Sequence, residues 1–275
     1  FDGPGTGTFD RPALYLFPGT QILVRSGVTL TLLNADIFTC NTLAAGIVLE
    51  PGATLLATTS SFNDSRFAVD AQPGSTISLI GNGFFDNYIG LNLDMNGAPE
   101  TGKRVNILAM TGNTFNTAQA AINAPYPSMP ESVEDRGYCG IRLNDYRDFN
   151  VFGTNTFSTL ANGILGFNST GNIGNMTFND MNSVGATSVY QHEGFGIYLA
   201  SKGGSWFNIN RPASTMTFNN CKTGVRAINY AGKVEFVTMT NVDNGIDWSN
   251  SRTRDVRFRF NNITARRFGI RSSLN

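Results

Sequence analysis

The chain has 275 residues and no net charge, with 15% charged against 41% hydrophobic side chains. That balance supplies a core, and it excludes nucleic acid or a membrane surface as a partner held by bulk charge. No apolar run reaches the roughly 20 residues a helix needs to cross a bilayer, so no membrane insertion is expected.

Asn, Thr, Ser and Gly fill most polar positions, a composition that suits strands and tight turns and is poor for helices. Twenty-one Phe stand against two Trp, which points to one interior slot used repeatedly. From the N-terminal side, Pro-Gly turn signals occur at Pro18-Gly19, Pro51-Gly52 and Pro73-Gly74. The last two lead into alternating strands, Ala53-Thr54-Leu55-Leu56 and Ser75-Thr76-Ile77-Ser78-Leu79, which match Val28-Thr29-Leu30-Thr31-Leu32. A second strand type carries Phe, as in Met176-Thr177-Phe178 and Met216-Thr217-Phe218.

The third strand type is fixed by a recurring phrase in which an apolar anchor follows a large apolar residue by seven positions. It reads Phe62…Val69, Phe84…Leu91, Phe115…Ile122, Phe157…Ile164, Phe218…Val225, Met239…Ile246 and Ile263…Ile270. With Ile47, Ile141 and Ile197, the anchors number ten, each preceded by Gly except at Ala68 and Ala121. Gly or Ala there fits a corner too tight for a larger side chain, and Gly also permits positive φ. The expected fold is all-β: one domain over residues 1–275, a right-handed parallel β-helix of about ten coils of roughly 22 residues, with three short strands per coil. The Asn residues after Phe (Asn63, Asn116, Asn179, Asn219) are expected to form a side-chain ladder between coils.

Four insertions interrupt the period. Two follow the Gly-Ile strand, at about Asp94 to Arg104 and Ser201 to Pro212. Two precede it, Ala124 to Cys139 (within one coil, between Ile122 and Ile141) and Val184 to Phe195. They are expected to wall a groove whose floor is the outward residue after each anchor: Val48, Asp70, Asn92, Asn123 or Arg142, Leu165, Tyr198, Arg226, Asp247 and Arg271. The candidate ligand-binding residues are Arg142, Tyr198, Arg226, Asp247, His192, Glu193 and Trp206, with Tyr126, Glu131, Glu134, Asp135 and Lys202 on the walls. Aromatic faces beside planar hydrogen-bonding groups are what an extended sugar chain requires.

No catalytic residue is assigned. His192 is the only histidine, so neither a nucleophilic triad nor a histidine metal site is expected, and no metal or other cofactor is assigned. Asn144, Asp145 and Asp148 form the best local oxygen cluster but lack a calcium-loop pattern. Asp70, Asp94 and Asp247 have no carboxylate partner in the next coil for glycoside hydrolysis. Arg142 and Arg226 are poor bases for a lyase. Of the three cysteines, Cys40 and Cys139 stand at inward strand parity, so core thiols are expected. Towards the C-terminus, Arg252, Arg254, Arg257, Arg259, Arg266, Arg267 and Arg271 face only Asp255, with Phe inward and Arg outward in Val256-Arg257-Phe258-Arg259-Phe260. This is an anion-attracting patch for an acidic polysaccharide or a neighbouring domain.

The phrases Gly27-Val28-Thr29-Leu30, Ala45-Gly46-Ile47-Val48-Leu49-Glu50-Pro51-Gly52-Ala53-Thr54-Leu55, Ala68-Val69-Asp70-Ala71 and Asn87-Tyr88-Ile89-Gly90-Leu91 resemble the right-handed parallel β-helix repeats of large secreted Bacteroidetes proteins. The resemblance covers nearly the whole chain, most closely residues 20–95. It implies a piece of a larger extracellular or cell-surface protein exported by type IX secretion. The partners it implies are the outer-membrane secretion machinery during export and other domains of the parent protein. The chain departs from pectin-degrading β-helices, with no Asn-Thr-Asp, paired Asp-Asp or Gly-His-Gly. The expected function is therefore a non-catalytic, adhesin-like extracellular segment binding a polysaccharide or cell-surface glycan. The alternatives are a polysaccharide lyase or glycoside hydrolase acting over the Gly-Ile strands, and a phage-type receptor-binding spike.

Overall fold

A computed structural model describes residues 5–102, 104–119, 121–182, 188, 190–210, 214–250 and 255–274. Every strand pairing in it is parallel, and the strands wind into a β-solenoid of about ten turns with three faces. At about 4.8 Å per rung the stack is roughly 50 Å long.

The Phe face runs through Ser61–Asn63, Gly83–Phe85, Thr114–Asn116, Asn155–Ser158, Met176–Asn179 and Met216–Asn219. Its inward column is Phe62, Phe84, Phe115, Phe157, Phe178 and Phe218, paired rung to rung. The rings stack at centroid distances of 4.5–5.0 Å, each contact adding about 0.5–1.5 kcal/mol beyond the burial itself. This column is the repeated slot that the Phe count implies.

The Gly-Ile face carries the second inward column: Ile47, Val69, Leu91, Ile141, Ile164, Ile197, Val225, Ile246 and Ile270. The Phe column explains the Gly before the central anchors, at Gly90, Gly140, Gly163 and Gly196. A methyl group at Gly90 would meet the Phe115 ring at 2.5 Å, and one at Gly196 the Phe218 ring at 2.5 Å. Close approach therefore requires these glycines. Positive φ is required only at Gly46, where φ is 102°. The Pro-Gly turns do use left-handed glycine, with φ 69° at Gly19 and 82° at both Gly52 and Gly74.

Corners elsewhere are turned by Asn and Asp in the left-handed region, among them Asn34, Asp64, Asp86, Asp145, Asn168, Asp180, Asn220 and Asn241. Their short polar side chains tolerate that conformation better than other non-glycine residues do. The expected Asn ladder after Phe is interrupted, because Phe85 and Ser158 occupy its register positions. Within it Asn219 donates to Asn179 at 2.9 Å. A buried ladder lies instead at the corner before the Phe face. There Asn82 donates to Asn113 at 3.1 Å and Asn113 to Asn155 at 2.9 Å, while their carboxamides also bond the backbone of neighbouring coils.

Further expectations change. Ile122 is not a rung: Leu91 pairs directly with Ile141, and Ile122 packs in an outer cluster beneath the following loop. Arg142, not Asn123, therefore takes the floor position. Cys40 is exposed, while Cys139 and Cys221 are buried; all three are free thiols. Cys139 packs in the outer cluster rather than the bore. Burial pushes both buried thiols up to about 12. Phe260 ends its strand in a left-handed corner, exposed, and stacks on Phe236 at 4.8 Å. Arg266 and Arg271 pair with Asp243 and Asp247, so Asp255 is not the lone acidic partner of the basic segment. Arg252, Arg254, Val184 and Pro212 lie outside the described residues.

The third face is divided. Gly5–Asp10, Val28–Leu33, Thr54–Thr58, Thr76–Ile80 and Asn106–Thr111 form a five-stranded sheet. The next coil's strand, Phe149–Val151, pairs only forward, with Gly171–Ile173.

Candidate functional site

In-register stacking puts the residue after each anchor in one outward column: Val48, Asp70, Asn92, Arg142, Leu165, Tyr198, Arg226, Asp247 and Arg271. Its charged members neutralise one another. Asn92 donates to Asp70 at 2.6 Å and accepts from Arg142 Nε at 2.7 Å. Arg142 also lies 3.9 Å from Asp94. Burial raises the Asp70 carboxyl, while Asn92 and Arg142 pull it back. Asp247, buried, pairs with Arg226 and receives Arg271 Nε at 3.0 Å.

One wall stands over this column, built by the two insertions that enter the Gly-Ile strand. The first leaves the Phe face after Asn116, where buried Asp86 accepts the Ala118 and Gln119 amides at 2.8 and 3.0 Å. Gln119 in turn donates to buried Asp64 at 3.3 Å. Burial and the neighbouring Asp86 raise the Asp64 carboxyl to about 6. Farther along, Arg66 holds Glu131 with two bonds of 2.7 and 2.6 Å. The second insertion supplies Tyr190, whose hydroxyl donates to the Arg136 carbonyl at 2.6 Å and accepts from the Glu134 amide at 3.0 Å. The two insertions thus brace each other.

Between wall and column lies an open cleft of about 470 Å³, lined by Tyr88, Pro130, Glu131, Ser132, Tyr138, Arg142, Phe167, Tyr190, Gln191 and His192. Tyr88 and Tyr138 stack at 5.5 Å, and Tyr138 meets Tyr190 at 4.9 Å. Burial pushes the phenols of Tyr88, Tyr138 and Tyr190 upward, so they stay protonated at neutral pH. Burial also lowers the His192 imidazole, which favours its uncharged form.

Of the candidate residues, Arg142 and His192 meet in this cleft. Tyr198 lies beneath it, buried under the His192 ring at 4.2 Å. Arg226 and Asp247 continue the same column, with Arg226 three rungs and roughly 14 Å from Arg142. Glu193 is not part of the lining. Trp206 is elsewhere: Phe195–Ile209 runs on as strand with a register shift between Ala200 and Ser205, and Trp206 pairs with Ala231 on the third face. That segment makes no wall. The Asp94 to Arg104 insertion likewise turns away, since Gly102 and Arg104 line a separate cleft. The two-sided wall expected from the insertions is therefore one-sided.

Sequence reasoning misses Tyr88, Tyr138, Tyr190 and Phe167 as groove residues. Tyr88 and Tyr138 do carry a signal, because each stands three residues before an anchor. Tyr190 carries none, since a loop reaches the cleft only through tertiary packing. Among the described residues no three His, Cys, Asp or Glu side chains converge on a point. Asp145 and Asp148 each turn a left-handed corner.

No protein-family model, no curated protein and no solved structure matches the chain. The class is thus given by fold and site alone: a parallel β-solenoid with an aromatic cleft on its Gly-Ile face.

Proposed function

We propose that this chain is a non-catalytic, extracellular segment of a secreted or surface protein, and that its Gly-Ile face binds an extended, uncharged glycan. The observation that carries the reading is the cleft of three tyrosines, Phe167 and His192 beside a column whose charges are already paired. Sugar rings offer apolar C–H faces to aromatic rings and hydroxyls to planar polar groups; a neutral surface attracts no polyanion. The extracellular placement, the secretion route and the adhesin-like role rest on the repeat phrases.

Affinity electrophoresis through gels of neutral glucans, mannans and xylans, beside polyuronates, tests this. Retention by a neutral polymer that persists in high salt is expected, with Tyr138→Ala weakening it about tenfold, or 1.4 kcal/mol. No retention by any neutral polymer counts against it.

Eliminative cleavage of a uronate polymer is a second reading. Its support is that Arg142, His192 and Tyr138 line one cleft and could neutralise a carboxylate, accept a proton and protonate a leaving oxygen. Release of an unsaturated product absorbing in the ultraviolet, lost in His192→Ala, would establish it in place of the first.

A further inference from the structure

The long insertion after Asn116 is a strap. Its two ends meet, since the Gly137 amide donates to Thr117 Oγ1 at 3.0 Å. Between them it runs back along the stack. The Ala124 carbonyl accepts the Leu43 amide at 2.9 Å, Ala124 bridges Thr42, and the Tyr126 ring lies against Gly19. On its underside Ile122, Tyr126, Met129 and Val133 pack in one cluster with Leu43, Phe67 and Tyr88. On its return the strap supplies Pro130, Glu131, Ser132 and Tyr138 to the aromatic cleft. The seat of the strap therefore sets one side of that cleft.

Two carboxylates hold the strap's first turn. Asp64 and Asp86 turn the same corner in successive coils, each directly after its Phe-face strand. Both are left-handed, with φ 57° and 56°, and both are buried. Asp86 grips the backbone of the strap through the Ala118 and Gln119 amides, and the Gln119 side chain reaches on to Asp64. The groups that face Asp64 are Asp86 from the next coil, Gln119 from the strap and Thr39 from the coil before. Asp86 is the charge that acts on it. Arg66, two residues along, is turned to Glu131. Two like charges in one buried corner repel each other and lack water, and opening the strap's root relieves both.

We propose that Asp64 and Asp86 form an acid-strengthened latch at the root of the strap: a proton taken up by Asp64 locks the root onto the stack, and its loss at neutral pH loosens it. The neutral acid still accepts the Gln119 side chain through its carbonyl oxygen, so protonation removes the repulsion and keeps the contact. Burial and Asp86 raise the Asp64 carboxyl to about 6, from 3.8 in its unperturbed form. Closing therefore gains strength as pH falls through about 6, and the gain is complete below 3.8. The aromatic cleft keeps its wall most firmly in mildly acidic surroundings. The latch needs no glycan, so the glycan reading can fail without touching it.

The test is carbon and amide NMR on the isotope-labelled full chain with no ligand present. The Asp64 carboxyl carbon should titrate with a midpoint near 6. Amide exchange at Ala118 and Gln119, corrected for the intrinsic effect of pH, should report a root about tenfold more open at pH 7 than at pH 5. Both amides should exchange well before that of Leu55, which lies in the middle of the five-stranded sheet, because the root opens without unfolding the stack. Asp64→Asn keeps an acceptor for Gln119, suits the left-handed corner and carries no charge. Its root should be as closed at pH 7 as that of the parent at pH 5. The proposal is overturned by an Asp64 midpoint below about 5, or by opening in the parent that does not change with pH. It is equally overturned if Asp64→Asn keeps the pH dependence, or if Ala118 and Gln119 exchange no faster than Leu55.

Discussion

On the Gly-Ile face one ladder runs from Gln21–Val24 to Asn262–Leu274; on the third face the ladder stops at Asn106–Thr111 and restarts at Phe149–Val151. Both faces meet insertions, and they differ in how the chain returns. After the long loop beyond Asn116 it re-enters in register, with Ile89 opposite Cys139 and Leu91 opposite Ile141. After the loop beyond Asp94 it re-enters with a bulge at Leu108, and the next rung on that face is not paired. In this pair of insertions the strand that keeps its phase preserves the ladder, whereas the strand that returns with a bulge is the last before the break; elsewhere, between Ala200 and Ser205, a register shift is tolerated and pairing continues.

The largest expected effect tests the continuous side. Phe157 stacks on Phe115 and Phe178 and lies against Gly140. Phe157→Ala should lower stability by about 3–5 kcal/mol in chemical unfolding. A loss near that expected of an exposed residue would show that the Phe column does not tie the coils together.

The corner that keeps the long loop in phase has its own signature. The Asp64 carboxyl titrates near 6 when folded against 3.8 in its unperturbed form. Between those values the folded chain binds the extra proton, so this group's contribution to stability falls as pH rises through the window. By the shift alone the cost above that window is about 3 kcal/mol, and solvent screening at the corner reduces it. Asp64→Asn should therefore be more stable than the parent at pH 7 and lose part of the difference at pH 5, read from unfolding midpoints at both values. An unchanged difference would mean that Asp64 is not held in its charged form against burial and Asp86.

On the interrupted side, Tyr146→Phe removes the hydroxyl that satisfies both backbone groups of Val105. A loss of about 1–3 kcal/mol is expected, with faster exchange of the Val105 amide. The smallest effect belongs to Leu108→Ser. Leu108 is exposed at the bulge, and stability should change by no more than about 0.5 kcal/mol. A large loss would mean that the bulge is packed in solution.

Much of the outward column is legible in the repeat itself. Once a strand stacks in register on its copies, the residue after an inward anchor points outward, and Asp70, Asn92, Arg142, Leu165, Tyr198, Arg226 and Asp247 follow. Ile122 misleads because Ala121-Ile122 copies the local phrase, and only pairing between distant strands shows that Ile141 holds the rung. Trp206 misleads because Ser201 to Pro212 breaks the period as an insertion beside the groove would, yet the backbone runs on as strand through Ile209. The cleft is less legible, since Tyr190 and His192 reach it from an insertion whose path no period governs.

The sequence alone determined the solenoid: a fixed period, alternation within each strand and a small residue before each anchor admit one stacked solution, because no coil can bury its apolar face by itself. Only the tertiary structure decided where the insertions fold back and where the ladder breaks. Both depend on the phase in which a strand returns after a loop, and that phase is set by contacts between residues far apart in the chain.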